Sequence, residues 1–417
     1  MDRFIINGGH RLEGEIKVDG AKNSVLPILA ATIINGSESV IHNVPELKDV
    51  DTLIGVLKFI GCRCFFENGT LIVKSNEITN VSIPEKPVRE MRSSIVLLGA
   101  MLARCGKAKI SYPGGCEIGP RPIDMHLSGL RQLGAKIIDT HGYIMCECDR
   151  LVGAEIHLDY PSVGATENIM LAAVSAEGTT TIHNAAKEPE IVDLQTFLNK
   201  IGAKVGGAGT DTVTIEGVKQ FSSAEHSIIP DRIVAGTYLT AAAITGGSIV
   251  LDGVVVEHLR PIIAKLTESG CVINEYGSKL GIQCNKRLKA VEVVKTLPYP
   301  GFATDMQAQM MAAMTIAKGT SVFIETVFES RYKHVEELIK MGANIKTDGR
   351  TAVVRGVKKL SGAEVYAGDL RGGAALILAG LAAEGITVVN NVRLHVDRGY
   401  DKLELKLRKL GANIQRI

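Results

Sequence analysis

The feature that most restricts what this chain can fold into is a segment that occurs six times. It reads LIGVLKFIGC, LSGLRQLGA, LQTFLNKIGA, IIAKLTESGC, VEELIKMGA and LELKLRKLGA. Its glycines, Gly61, Gly134, Gly202, Gly270, Gly342 and Gly411, recur every 68 to 73 residues. Charged residues on one side and apolar residues on the other mark a surface helix. The glycine suits the left-handed position that ends one. The residues that follow (CRCFF, AKIID, AKVGG, CVINE, ANIKT, ANIQR) read as strand starts. Any fold for this chain has to use one unit six times.

Upstream in each copy lies a second segment: SVLPILAATIIN, SSIVLLGAMLARC, ATENIMLAAVSAE, DRIVAGTYLTAAAIT, DMQAQMMAAMTIAK and RGGAALILAGLAAE. Each stops at a glycine (36, 106, 178, 246, 319, 385), after which a strand such as SVIHNV or SVFIET begins. These segments are apolar or small nearly all round, so they read as helices enclosed by protein. The unit is then helix, strand, loop, helix, strand, with further strand before the next copy. It is an α/β unit of about 70 residues, with buried helices and sheets packed outside them. Three copies can bury three such helices together, so six copies predict two similar domains. Pro230, in HSIIPDR between copies three and four, is the expected crossing.

Fourteen residues before the six stop glycines stand Lys22, Arg92, Gly164, Arg232, Asp305 and Arg371. This register is the start of the buried helix. Helix N-termini carry unpaired N–H groups and positive partial charge, and they receive anions. Four of these six positions add a cation and one adds a carboxylate. A set of cations at equivalent points of a repeat reads as an anion site.

Composition excludes several classes. Lys and Arg number 47 against 45 Asp and Glu, which lacks the basic excess of a general nucleic-acid binder. No apolar run is long enough for a membrane helix, and MDRFIINGGH does not read as a secretion signal, so a soluble cytoplasmic protein is expected. In that setting the eight cysteines are expected to be free thiols. Cys62/Cys64 and Cys146/Cys148 form C-x-C pairs, but only His141 lies near enough to extend a metal site, so these read as structural.

Copy two departs most from the others. From stop glycine to second glycine the copies span 25, 28, 24, 24, 23 and 26 residues, and the excess of copy two is PGGCEIGPRPIDMH (113–126). Gly114, Gly115 and Gly119 free the backbone, and Pro120 and Pro122 stiffen it around Arg121. A thiol at Cys116, near Arg121, has the setting of a reactive thiolate. Walker-A, H-E-x-x-H, G-x-S-x-G and dinucleotide G-x-G-x-x-G signatures are absent. What remains is a thiol, Asp305 at a helix start, and Lys22, Arg92, Arg121, Arg232, Arg331, Arg371 and Arg398. That set suits metal-free acid–base chemistry on a multiply anionic substrate.

On these stretches the chain resembles the UDP-N-acetylglucosamine 1-carboxyvinyltransferases, enolpyruvyl transferases of the EPSP synthase-like superfamily. The matching stretches include DGAKNSVLP (19–27), REMRSS (89–94), GGCEIGPRPIDMH (114–126), PSVGATENIM (161–170), PDRIVAGTYL (230–239), GFATDMQAQ (301–309), ETVFESRYKHVEEL (325–338), GDLRGGAAL (368–376) and VDRGYDKLELKLRKLGANI (396–414). They run through all six copies. The resemblance implies a two-domain inside-out α/β barrel with three repeats per domain. One domain would hold residues 22–229, the other residues 1–21 plus 230–417, with the active site in the cleft between them.

The implied reaction moves the enolpyruvyl group of phosphoenolpyruvate to the 3-hydroxyl of the GlcNAc ring, by addition and elimination, with release of phosphate. It opens peptidoglycan precursor synthesis and implies no cofactor, metal, nucleic acid or membrane partner, in a monomer or weak homo-oligomer. By the same match Cys116 is the proton donor and forms a covalent thioketal adduct with phosphoenolpyruvate, and Asp305 is the base. Lys22, Asn23, Arg121, Arg331, Arg371 and Arg398 are implied to bind phosphoenolpyruvate, Lys22 and Arg398 also as catalytic residues, and Asp369 to support proton transfer or the cationic network. Arg92, Arg121, Pro122, Ile123, Asp124, Met125, Ser162, Val163, Gly164, Asp305 and Val327 match positions that line the nucleotide sugar. The chain departs from some members in having Tyr160 rather than Lys and Met125 rather than Leu. Three other readings compete: the sister transferase acting on shikimate 3-phosphate, an inactive paralogue that binds a nucleotide sugar, and an RNA-end-modifying protein on a related scaffold. Cys116 and the PRPID run weigh against the first, the full set of acid, base and cations against the second, and the near-neutral charge against the third.

Overall fold

The computed structural model describes residues 2–114, 118–119 and 122–417. The repeat is realised in all six copies. Copy one shows it: helix Lys22–Ala31, strand Glu38–His42, helix Lys48–Phe59, then strands Arg63–Glu67 and Thr70–Lys74. The second glycine of every copy ends its surface helix in left-handed conformation, with φ of +116°, +95°, +102°, +95°, +93° and +95° from Gly61 to Gly411. Any side chain there is strained, which is why glycine recurs at that point.

The first helix of each copy is buried. Every residue of Gln307–Met314 is enclosed, and so is all of Arg232–Thr245 except its two ends. The three buried helices of copies four to six pack on one another. In the first three copies Leu97–Cys105 packs on both Lys22–Ala31 and Val163–Ala173. One approach is close enough to need glycine: a Cβ at Gly99 would lie 2.1 Å from the Asn168 carbonyl oxygen. Asn168, fully buried, uses its side-chain oxygen to accept the Gly99 N–H at 2.7 Å. A buried amide is tolerated because a partner meets it.

Each copy builds a separate small sheet, and among the described residues five have four strands and one has three. Among the described residues no sheet closes into a barrel of its own. The layering is the inside-out α/β arrangement expected: helices within, sheets outside. The first strand pairs antiparallel with the second strand of its own hairpin, as Glu38–His42 does with Thr70–Lys74. Its other edge takes a parallel strand from elsewhere in the chain. Ala224–Ser227, after copy three, returns to copy one, and Glu13–Lys17, ahead of copy one, pairs with Ser248–Asp252 of copy four. The strand Phe4–Asn7 sits between Ile386–Asn390 and Asn413–Arg416 of copy six, antiparallel to both.

The chain accordingly divides into two compact units. One holds Gly20–Cys116 and Arg121–Ile229, which is copies one to three; the other holds Met1–Asp19, Glu117–Pro120 and Pro230–Ile417.

One expectation fails. Cys271 and Cys284 form a disulfide, with Cα atoms 4.8 Å apart. They flank the hairpin Val272–Tyr276 and Lys279–Gln283, whose register sets Val272 against Gln283. The next pair outward is therefore Cys271 opposite Cys284, and proximity overrides the compartment argument. Cys62, Cys64, Cys105, Cys146 and Cys148 are free. Burial pushes the Cys62 and Cys146 thiols up to about 12, so they are inert as nucleophiles. No group of three or more His, Cys, Asp or Glu among the described residues could hold a metal ion.

Candidate active site

The helix mouths are where the structure puts the charge. In copies one, three, four and six the buried helix begins directly, at Lys22, Val163, Arg232 and Leu370. In copies two and five a 3-10 turn precedes it, Arg92–Val96 and Thr304–Met306. Each residue of the fourteen-residue register stands in the first turn of its helix or in that 3-10 turn.

In the unit of copies one to three, Lys22 is buried and its Nζ lies 2.8 Å from Asp49 Oδ2. Asp49 belongs to the first turn of the surface helix of the same copy, where a carboxylate also meets the positive end of the helix. Asn23 follows Lys22 and is half-buried. The start of this helix is fixed from below by Ser24, whose hydroxyl bonds the buried carboxylate of Asp193. Asp193 also accepts from His226 Nε2 at 2.9 Å and from the Ile229 N–H at 3.2 Å. Arg92 donates from Nη1 to the Pro113 carbonyl at 3.1 Å, so it is tied to the start of the thiol loop.

Ser162 caps helix Val163–Ala173, its hydroxyl accepting the Ala165 N–H at 3.3 Å. Gly164 in that first turn lies against His126: a Cβ there would sit 3.0 Å from the imidazole Cε1. Of the PRPID run, Pro122 and Asp124 are exposed, Met125 is half-buried and Ile123 is buried. Asp124 opens helix Asp124–Gln132. The assignments to Cys116 and Arg121 lie outside the described residues.

In the unit of copies four to six, Asp305 is held by two buried guanidiniums. Arg331 Nη2 reaches Oδ1 at 2.6 Å, and Arg371 Nε and Nη2 reach Oδ2 at 3.2 and 3.0 Å. Burial works to lower the Arg371 pKa, but the Asp305 carboxylate, Tyr400 and Asp231 together outweigh it and leave the group raised. Arg371 also lies over the Tyr400 ring, 5.4 Å from its centroid. Asp369 caps helix Leu370–Ala382, accepting the Arg371 and Gly372 N–H groups, each at 3.0 Å. Arg398 ends the short turn Val396–Arg398 and is half-buried. The Val327 N–H is bound to Glu325.

The structure thus gathers Asp305, Arg331, Arg371 and Asp369 into one charged cluster. It places Lys22, Asn23, Arg92 and Ser162 to Gly164 at helix mouths of the other unit. Sequence reasoning missed several partners. Asp49 was legible only as a polar residue opening an amphipathic helix. His334 is fully enclosed beside Asp369 and Arg331; burial, reinforced by Arg331 and opposed by Asp369, lowers its pKa to about 4, so the ring is neutral. Glu325 breaks a turn pattern that copies one, three, four and six share. A carboxylate clamped by two guanidiniums must loosen one contact to take up a proton, and the freed guanidinium is then available to an anion.

Comparison with known proteins agrees with this arrangement. Residues 6–407 match the family model of EPSP synthase (3-phosphoshikimate 1-carboxyvinyltransferase). A protein of Caldanaerobacter subterraneus subsp. tengcongensis named UDP-N-acetylglucosamine 1-carboxyvinyltransferase 2 is 57% identical over 417 residues, covering 100% of both chains. A protein of Carboxydothermus hydrogenoformans with the same name is 51% identical over 419 residues, again covering 100% of each. Among solved structures, the enolpyruvyl transferase NikO from Streptomyces tendae aligns with a TM-score of 0.90 at 25% identity, covering 100% of this chain and 98% of that one. An EPSP synthase from Acinetobacter baumannii shares the fold, with a TM-score of 0.74 at 17% identity and 100% coverage of both. Six α/β copies in two units, matched along their whole length by these relatives, show that the chain belongs to the EPSP synthase family of enolpyruvyl transferases.

Proposed function

We propose that this chain transfers the enolpyruvyl group of phosphoenolpyruvate to the 3-hydroxyl of UDP-N-acetylglucosamine, releasing phosphate, as the first committed step of peptidoglycan precursor synthesis. The observation that carries the reading is the full-length identity of 51 to 57% with proteins named for that activity. The Asp305 cluster supports it at residue level.

In the addition half-reaction the Cys116 thiol gives a proton to the methylene carbon of phosphoenolpyruvate, and Asp305 takes the proton of the sugar hydroxyl. The hydroxyl oxygen bonds to C2, forming a tetrahedral adduct that carries the phosphate and the sugar. In the elimination the Cys116 thiolate takes back a proton from the new methyl group, the carbon–carbon double bond re-forms, and the bond from C2 to the phosphate oxygen breaks, which releases phosphate. The same thiol can instead add to C2, which gives the covalent thioketal. Lys22, Asn23, Arg121, Arg331, Arg371 and Arg398 bind the phosphate and carboxylate while charge develops, and Asp369 fixes the backbone that carries Arg371. Arg92, Pro122 to Met125, Ser162 to Gly164 and Val327 line the nucleotide sugar, with the N–H groups at the mouth of helix Val163–Ala173 facing its diphosphate.

No helix among the described residues is long and apolar enough to cross a membrane. A cytoplasmic site of action fits substrates of this class. The test is phosphate release from phosphoenolpyruvate with UDP-N-acetylglucosamine, run beside shikimate 3-phosphate. Release with the nucleotide sugar alone is expected; release only with shikimate 3-phosphate, or with neither, overturns the reading. The thiol has its own test: a thiol-alkylating epoxide such as fosfomycin adds one mass increment, which Cys116→Ser abolishes. An increment that persists in Cys116→Ser removes Cys116 from the mechanism.

A further inference from the structure

The repeat supplies its own control for one buried residue. In copies one, three, four and six the residue that follows the first strand is Asn43, Asn184, Gly253 or Asn391, and each is left-handed, with φ between +54° and +70°. These are cheap turn residues. In copy five the equivalent residue, after Thr320–Ile324, is Glu325, which is 1% exposed.

A second position changes with it. The last carbonyl of that strand accepts an N–H from Ile228, Leu158, Val18 or Ala367 in the four copies, all apolar and buried. In copy five the donor is Thr296. Glu325 Oε1 accepts the Thr296 hydroxyl at 2.8 Å, the Val327 N–H at 2.8 Å and the Phe328 N–H at 3.2 Å. Glu325 Oε2 accepts the Thr304 hydroxyl at 2.9 Å. Holding the turn to its neighbouring strand does not require this carboxylate. In copies one and three the turn asparagines do that, donating to the Ile228 and Leu158 carbonyls; in copy five the Thr326 hydroxyl donates to the Thr296 carbonyl instead.

A buried carboxylate is costly even when it is well bonded, so an ordinary turn gives no reason to keep one here. What Glu325 does, beyond anything the turn residues of those four copies do, is join two segments of the candidate site, which Arg331 also bridges. Thr304 opens the turn that carries Asp305, and the loop that begins at Glu325 carries Val327 and Arg331. Arg331 closes the ring by bonding Asp305 at 2.6 Å.

We propose that Glu325 is a positioning residue for the transfer reaction, a buried carboxylate that locks the Asp305 turn to the loop carrying Val327 and Arg331. It touches no substrate and acts through Asp305 and Val327. The proposal rests on the function argued above and names a determinant of that site's geometry.

Three variants separate positioning from plain support. Thr304→Val cuts only the bond to the Asp305 turn, so kcat falls about tenfold or more while KM for both substrates stays within about threefold and Tm barely moves. Glu325→Gln keeps the shape and lowers kcat similarly, and it also raises KM for UDP-N-acetylglucosamine several-fold as the Val327 segment loosens. Thr296→Val weakens the network on the side away from Asp305; it lowers Tm and leaves kcat within about threefold. A Thr304→Val enzyme with unchanged kcat, or kcat losses that simply track Tm across the three variants, overturns the positioning role. Wild-type protein that releases no phosphate from phosphoenolpyruvate and UDP-N-acetylglucosamine sinks the functional reading, and this inference falls with it. Active wild type with an indifferent Thr304→Val sinks this inference alone.

Discussion

The two units put charge at the same register of the repeat and balance it in different ways. In copy one the first residue of the buried helix is Lys22, and Asp49 meets it from the surface helix of the same copy. In copies five and six the register holds Asp305 and Arg371, which meet each other across copies, with Arg331 as a third member. The first arrangement includes a buried ion pair between two helices of one repeat. The second is a triad in which one carboxylate serves two guanidiniums that are almost wholly buried. A repeat supplies equivalent points; the chemistry comes from giving those points unequal charge.

Breaking the triad is expected to have the largest effect. Asp305→Ala removes the carboxylate shared by Arg331 and Arg371, and the loss of one partner of a buried charge group costs about 3–5 kcal/mol. It also removes the proposed base, so turnover falls by about a thousandfold or more. Calorimetry should still detect UDP-N-acetylglucosamine binding. Asp305→Ala protein with normal turnover would reject Asp305 as the base, and unchanged stability would show that the triad is not a stabilising unit.

Breaking the pair is expected to do less. Lys22→Ala takes one partner from Asp49, which costs about 2 kcal/mol, on the scale of one charge-assisted hydrogen bond. Its kinetic signature differs too: KM for phosphoenolpyruvate should rise about tenfold, because Lys22 is assigned to the anion rather than to proton transfer. Should Lys22→Ala cost as much stability as Asp305→Ala, the distinction between the two units collapses.

His334 sharpens the comparison through pH. Its folded pKa is about 4, below the ordinary value of 6.5, so between those values the unfolded chain binds the extra proton. The folded state therefore loses stability as pH falls from about 6.5 towards 4. The single-group contribution at pH 4.5 is about 2–3 kcal/mol, an order-of-magnitude figure for a group packed beside Asp369 and Arg331. His334→Gln should flatten that part of the wild-type profile when Tm is measured from pH 7 to 4.5. Parallel profiles for the two proteins would show that His334 does not titrate in this window.

The sequence made the six copies, both sets of glycines and the charged helix mouths legible, because each rests on local periodicity or on a backbone conformation that only glycine takes easily. Lys22, Asp305 and Arg371 could be picked out by register alone. Their partners could not. Asp49 meets Lys22 because two helices of one copy pack, and Arg331 reaches Asp305 from a loop 26 residues on, so both contacts depend on tertiary geometry. Glu325 was visible in principle: aligning the copies at the end of the first strand sets it against Asn43, Asn184, Gly253 and Asn391. The Cys271–Cys284 disulfide was also within reach, since the two-residue turn Gly277–Ser278 fixes the hairpin register that brings them opposite.

The smallest expected effect separates the units by their helix caps. Asp369 caps helix Leu370–Ala382 with two N–H bonds at 3.0 Å, whereas Ser162 caps Val163–Ala173 with one at 3.3 Å. A charged cap aligned with the helix dipole is worth more than a neutral one. Ser162→Ala should cost about 1 kcal/mol, a shift of a few degrees in Tm. Asp369→Ala should cost more, because it removes a charged cap that holds two N–H groups rather than a neutral one that holds one. The kinetic contrast is the stricter test. Ser162→Ala leaves the Val163 and Gly164 N–H groups in place, so KM for UDP-N-acetylglucosamine should change by less than about threefold. A much larger rise would move Ser162 from cap to ligand and make its hydroxyl, rather than the helix backbone, the group that reads the diphosphate.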